Sequence, residues 1–409
     1  MLSFLSSLLR GVCSLLLAVL TVLTFPLTGL INTGTLTTAG LDCVPDQHYT
    51  DAADIPCDPD ATPETRALLR YLKAQYGSYI LSGQYIDCYE DYTQAKFLDG
   101  QGDLDVRLAN ELAAVTAVTG GKYPAVLGLD YTGVEYGGPE WQDWTTQQAI
   151  QWHELGGVVT ICWHWTVPQD VNSDPAAWSR WQSSIYAEET NFSLSRALAH
   201  PDGAEYQWLL RGIERLAAEL QRLQDTGVPV LWRPLHEAAG GWFWWGAAGK
   251  DAYLALYNLL FDQLVTKYGL HNLIWVWNAQ DPRWYVGGNR ADILSDDPYV
   301  LGDINWLYQL DPARADRFKR IRRTDPGKMV AMSENDYVGP ADAFWRKNTK
   351  WLFFCTWMRE RTLLPDPANP PYGMSRNYNE TYMRAADLRA LYEDPRVLTL
   401  DDISIPAAP

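Results

Sequence analysis

Eight short apolar runs, each followed by enough chain for a helix, are the strongest constraint on what this sequence folds into. They span 79–85, 124–131, 158–165, 228–236, 273–278, 300–307, 329–333 and 351–356. Each is dense in Val, Ile, Leu and aromatics, as strands buried on both faces must be. Amphipathic segments fill most gaps, at 63–76, 106–119, 145–155, 205–225, 251–268, 341–350 and 380–392. In the clearest, Leu209, Ile213, Leu216, Leu220 and Leu223 recur at steps of four and three, and Gly227 supplies the stop. Strand then helix, repeated, predicts an α/β fold: a (β/α)8 TIM barrel forming a single domain. An open doubly wound sheet is the competitor. It usually places a Gly-rich phosphate loop after its first strand, and none follows 79–85.

The first residues read differently. Arg10 precedes an apolar run over 12–25, extended after Pro26 to Ile31, the form of an export signal. The run 11–31 is also long enough to remain as a membrane anchor. Small residues around 37–40 suit a cleavage site. The expected organisation is 1–39 as signal peptide or N-terminal anchor with linker, then 40–409 as one globular domain. That places the domain outside the cytosol, secreted or tethered.

A formal charge of −17 argues against nucleic acid as partner, because phosphates need Lys and Arg to neutralise them. The 19 Trp and 23 Tyr suit two purposes, core packing and stacking on the apolar faces of sugar rings. Six Cys include Cys13 within the leader. Export permits disulfides, and Cys43–Cys57 is the expected pair. No Cys-x-x-Cys or His-rich cluster suggests a metal, and no motif calls for a cofactor. The chain is expected to act as a monomer.

In barrels of this kind the chemistry sits at the C-terminal ends of the strands. Those ends carry Asp130, His164, His236, Glu237, Asn278, Ser333 and Glu334. The two Glu fall on the fourth and seventh predicted strands, which face each other across the mouth. Two carboxyl groups facing across a pocket suit glycosidic cleavage: one protonated for the leaving oxygen, one ionised for the anomeric carbon. After Glu237 come two Ala, two Gly and then Trp242-Phe-Trp-Trp245. Four consecutive aromatics rarely all turn inward, and Trp242, nearest Glu237, is the one expected to line a sugar site.

The chain resembles glycoside hydrolase family 26, whose best-known members are endo-β-1,4-mannanases. The resemblance rests on Arg-Pro-Leu-His-Glu at 233–237, Gly-Trp-Phe-Trp-Trp-Gly at 241–246, Met-Ser-Glu at 332–334 and Cys-Trp-His-Trp at 162–165. Ile-Trp-Val-Trp-Asn at 274–278 and the Trp-rich stretch 351–357 fit as well. It implies that Glu237 is the acid/base and Glu334 the nucleophile of a retaining double displacement on a β-linked polysaccharide or oligosaccharide. It further implies that Arg233 hydrogen-bonds Glu334, that His164 and His236 bind the sugar at the scissile bond, and that Trp242 and Trp357 are stacking platforms. Tyr308, at the end of the sixth predicted strand, would lie near the nucleophile.

The sixth strand is the departure. The family pattern Tyr-Val-Asp-Ile-Val-Gly-x-Asp-x-Tyr is set against Tyr299-Val-Leu-Gly-Asp-Ile-Asn-Trp-Leu-Tyr308, where Trp306 replaces the second Asp. That loss keeps β-1,3-xylan and mixed-linkage β-glucan open as substrates. A non-catalytic glycan-binding surface protein is the other alternative, though binding alone does not need a facing acid pair.

Overall fold

The computed structural model describes residues 54–88, 105–137, 140–299, 314–357, 378, 380 and 383–407. All fall within one unit, 44–409. Eight parallel strands close into a barrel: β1 (Gly83–Tyr85), β2 (Val126–Asp130), β3 (Val158–Cys162), β4 (Val230–Arg233), β5 (Leu273–Trp277), β6 (Ile293–Asp296), β7 (Met329–Asn335) and β8 (Phe354–Thr356). Pairing of Thr356 with Gln84 joins β8 to β1 and closes the ring. Every residue of β3, β4, β5 and β7 is buried, and apart from Thr160, Arg233 and the Ser333–Asn335 end they read as apolar runs.

The helices pack outside. The stripe on Ala204–Asp225 turns inward as the spacing predicts, with Leu209, Ile213, Leu216, Leu220 and Leu223 all buried. Truncating any one to Ala costs about 2–5 kcal/mol. Gly227, at φ +73°, ends the helix, and the Val228 N–H returns to the Leu223 carbonyl at 2.9 Å. That turn leads directly into β4.

Two expectations change. The sixth strand is Ile293–Asp296, and the predicted run 300–307 lies entirely outside the described residues. β6 went unrecognised because Ser295 and Asp296 break its apolar character. Both are fully buried, with side chains held by hydrogen bonds. Cys57 is a free thiol rather than half of a disulfide. Its Sγ donates to Asp292 Oδ2 at 3.4 Å and its N–H to Oδ1 at 2.5 Å, fastening the start of the domain to β6. Cys43 and the leader lie outside the described residues. Among those described, no helix is long and apolar enough to cross a membrane.

Candidate active site

The barrel register brings Asp130, Cys162 and Arg233 level on β2, β3 and β4. One turn further on, the chain tightens. Leu235 and Glu237 hold φ of 51° and 54°, unusual for residues with a Cβ. His236 and Glu237 are thereby delivered to the rim. The Glu237 N–H is fixed by the Asn278 carbonyl at 2.6 Å. Gly246 lets the aromatic loop close on this turn, since a Cβ there would stand 1.9 Å from the Ala238 carbonyl oxygen.

Glu334 arrives from the opposite side. Between Met332 and Asn335, β7 shifts register against β8, with three steps on one strand matching two on the other. Such an irregularity re-aims side chains, and Glu334 sits in it. Its Oε1 accepts from Arg233 Nη2, and its Oε2 accepts from Tyr299 Oη at 2.9 Å. Arg233, fully buried, also donates through Nη1 to Asp297 Oδ2 at 3.0 Å and through Nη2 to Tyr85 Oη at 3.2 Å. Asp297 Oδ1 accepts from Asn278 Nδ2 at 2.7 Å and from the Glu334 N–H at 2.9 Å. One guanidinium thus bridges two buried carboxyl groups. Removing it would strand both, at a cost of about 3–5 kcal/mol.

Glu237 lies in different surroundings. Trp242 Nε1 donates to its Oε2 and Gln280 Nε2 to its Oε1, both at 3.1 Å. Burial, then the charges of Asp297 and Glu334, push its pKa well above the ordinary glutamate value. Burial foremost, with Glu334 adding, also lifts Asp297, to about 7. One carboxyl oxygen each from Glu237, Asp297 and Glu334 lie within 4.8 Å of one another. So close an approach of their oxygens suits the short-separation class, whose carboxyl groups lie about 5–5.5 Å apart, rather than the wider gap of inverting pairs.

The remaining candidates that fall among the described residues line the same mouth. His164 Nδ1 lies 2.6 Å from Asp130 Oδ2, and its Nε2 meets His236 Nε2 at 3.0 Å. Trp357 packs against Tyr85 and His164, with centroids 4.8 and 5.5 Å away. Phe243, Trp244 and Trp245 are buried, and Trp242 is 46% exposed beside Glu237, as the sequence predicts for one of the four. Tyr308 is outside the described residues. The tyrosine that meets Glu334 is Tyr299, and its signal was present: 292–299 reads Asp-Ile-Leu-Ser-Asp-Asp-Pro-Tyr. That fits the Asp-Ile-Val-Gly-x-Asp-x-Tyr part of the pattern, with Asp297 as the second Asp. The departure inferred at Trp306 was an error of register.

Two groups of residues have ligand atoms close enough for a metal: Asp130, Cys162 and His164, and the three acids Glu237, Asp297 and Glu334. In the first, Asp130 already holds His164 Nδ1. In the second, Arg233 already supplies positive charge to two of the acids.

The model of glycosyl hydrolase family 26 matches residues 57–387. A mannan endo-1,4-beta-mannosidase of Thermothelomyces thermophilus is 35% identical over 353 residues, covering 85% of this chain and 62% of that protein. Mannan endo-1,4-beta-mannosidase B of Piromyces sp is 27% identical, covering 85% of this chain and 53% of that protein. The chain therefore spans little more than half the length of these relatives. Among solved structures, a ruminal GH26 endo-beta-1,4-mannanase superposes with a TM-score of 0.72 at 28% identity, covering 90% of this chain and 73% of that one. The Podospora anserina GH26-CBM35 beta-(1,4)-mannanase gives 0.66 at 31% identity, covering 86% and 69%.

Proposed function

The chain belongs to glycosyl hydrolase family 26, and from that premise we propose that it is a retaining glycoside hydrolase cutting β-1,4-mannan within the polymer. The observation that carries this reading is the approach of Glu237 and Glu334 within 4.8 Å in opposed electrostatic settings.

In this reading Glu334 is the nucleophile, its two oxygens held by Arg233 and Tyr299. Glu237 is the acid/base, kept protonated by burial and its acidic neighbours. Glu334 attacks the anomeric carbon, the glycosidic C–O bond breaks, and the Glu237 proton passes to the leaving oxygen. Water then attacks the same carbon, gives a proton back to Glu237, and releases Glu334 as carboxylate. His164 and His236 contact the sugar at the scissile bond, while Trp242 and Trp357 offer ring faces to its neighbours. Neither metal nor organic cofactor has a step to perform.

Asp297 and Tyr299, standing where the family pattern wants them, favour mannan over the xylan and β-glucan readings. Incubation with mannan, glucomannan, xylan and lichenan tests this. Short manno-oligosaccharides released from the first two support it. Hydrolysis of xylan or lichenan alone would move the substrate, and no release from any would remove the activity. The apolar run over 11–31 supports export of the domain, with 1–39 as signal or tether and 40–409 working outside the cytosol on the polymer.

A further inference from the structure

Gln280 stands just past β5 at φ +66°, in the left-handed region that few residues with a Cβ adopt. Its side chain joins two groups. Nε2 donates to Glu237 Oε1 at 3.1 Å, and Oε1 accepts from Arg317 Nη2 at 3.3 Å. Arg317 grips Asp296 of β6 with Nε to Oδ2 at 2.6 Å and Nη2 to Oδ1 at 2.8 Å. Its Nη2 also donates to the Asp297 carbonyl at 3.3 Å. The two ends of an amide differ little in shape but oppositely in polarity. A guanidinium has only donors, so the amide oxygen must face Arg317 and the NH2 must face Glu237.

We propose that Asp296, Arg317 and Gln280 form a positioning relay that locks the Gln280 amide and so aims the Glu237 carboxyl and steadies its ionised form. The proposal rests on the retaining reading above. Glu237 must be an acid in the first displacement and a base in the second. Facing it are the carboxylates of Glu334 and Asp297, the guanidinium groups of Arg233 and Arg317, and the phenols of Tyr186 and Tyr299. Burial and the two acids favour the neutral acid. The N–H donors from Gln280 and Trp242 favour the anion. Without the relay the acid survives and the base suffers.

Three variants separate this role from mere support of the fold. Gln280→Met keeps the length and loses the amide. Gln280→Asn tolerates the backbone angle but cannot span Glu237 and Arg317 together. Arg317→Met frees the amide to turn. Each is assayed for kcat/KM on manno-oligosaccharide against pH, and for kcat and KM on a dinitrophenyl mannoside whose second displacement limits turnover. The alkaline limb should move up by about 0.5–1 pH unit. On the aryl substrate kcat should fall about tenfold and KM with it, because the glycosyl-enzyme accumulates. The double variant Gln280→Met/Arg317→Met should be no worse than the worse single one. Uniform loss of rate at every pH, with the limb unmoved, would overturn the relay. An unmutated enzyme inactive on mannan would instead remove the reading beneath it.

Discussion

His164 Nε2 lies 3.0 Å from His236 Nε2, so one ring donates and the other accepts. Asp130 decides which. It holds His164 Nδ1 at 2.6 Å and the His164 N–H at 3.1 Å, which puts a proton on Nδ1. Burial opposes a charge on His164, but Asp130 outweighs it and the pKa ends raised. For His236, burial, Arg233 and His164 act together and drive the pKa well below the ordinary value. Below the His164 pKa, therefore, His164 is the cationic donor, and His236 is neutral and accepts through Nε2.

The tautomer of His236 should therefore switch when His164 titrates. Below the His164 pKa, nitrogen-15 spectra should show His236 protonated on Nδ1. Above it, His164 keeps its proton on Nδ1 and His236 must donate from Nε2. A His236 that becomes cationic at or above the ordinary histidine pKa of about 6.5 would contradict this. The stability consequence has a definite sign. The folded His164 pKa exceeds its unfolded value near 6.5, so its contribution is full below that pH and is lost as pH rises through the folded pKa. Asp130 is shifted down by His164 against the penalty of burial. Its share is present above the unfolded value near 3.8 and is lost as pH falls through the folded one. Urea midpoints of the native protein less those of His164→Gln should peak between about pH 4 and 6.5.

Asp297→Asn removes one of the like charges that keep Glu237 protonated. The alkaline limb of kcat/KM should then move down by about one pH unit. Gln280→Met moves it up. The two variants thus push one limb in opposite directions, and a shared direction would contradict the charges assigned around Glu237.

Glu237→Ala should cut hydrolysis of mannan by about 10²–10⁴-fold. It should largely spare the first step on an activated aryl mannoside, and azide should restore turnover. Glu334→Ala should abolish both reactions, with no azide-rescued hydrolysis of the kind seen at position 237. Equal mild losses from the two changes would mean that the roles are misassigned.

Cys57, Cys88, Cys162 and Cys355 are free thiols. Burial first, then Asp292, pushes the Cys57 pKa far above the ordinary thiol value, and Cys88 is raised chiefly by burial, so neither is a reactive thiolate. Dithiothreitol should leave the thermal midpoint unchanged. A fall of several degrees would reveal a stabilising disulfide.

Seven of the eight strands were legible because they lie in runs dense in apolar residues. The eighth, β6, was not, because Asp296 and the adjoining Asp297 serve Arg317 and Arg233 rather than the core. A buried polar strand end mimics a loop in sequence, while the more apolar stretch after it mimics a strand. The same slip assigned Tyr308 the place that Tyr299 holds. Glu237, Glu334, Arg233 and the two histidines were legible because family motifs fix them residue by residue. Gln280 and Arg317 carried no such signal: their pairing joins positions 37 residues apart.

The central claim is best tested by the configuration of the first product. Proton NMR of manno-oligosaccharide hydrolysis, begun within the first minutes, should show the β-anomer at the new reducing end before mutarotation mixes the two. The α-anomer appearing first would mean inversion, and would contradict Glu334 as a nucleophile.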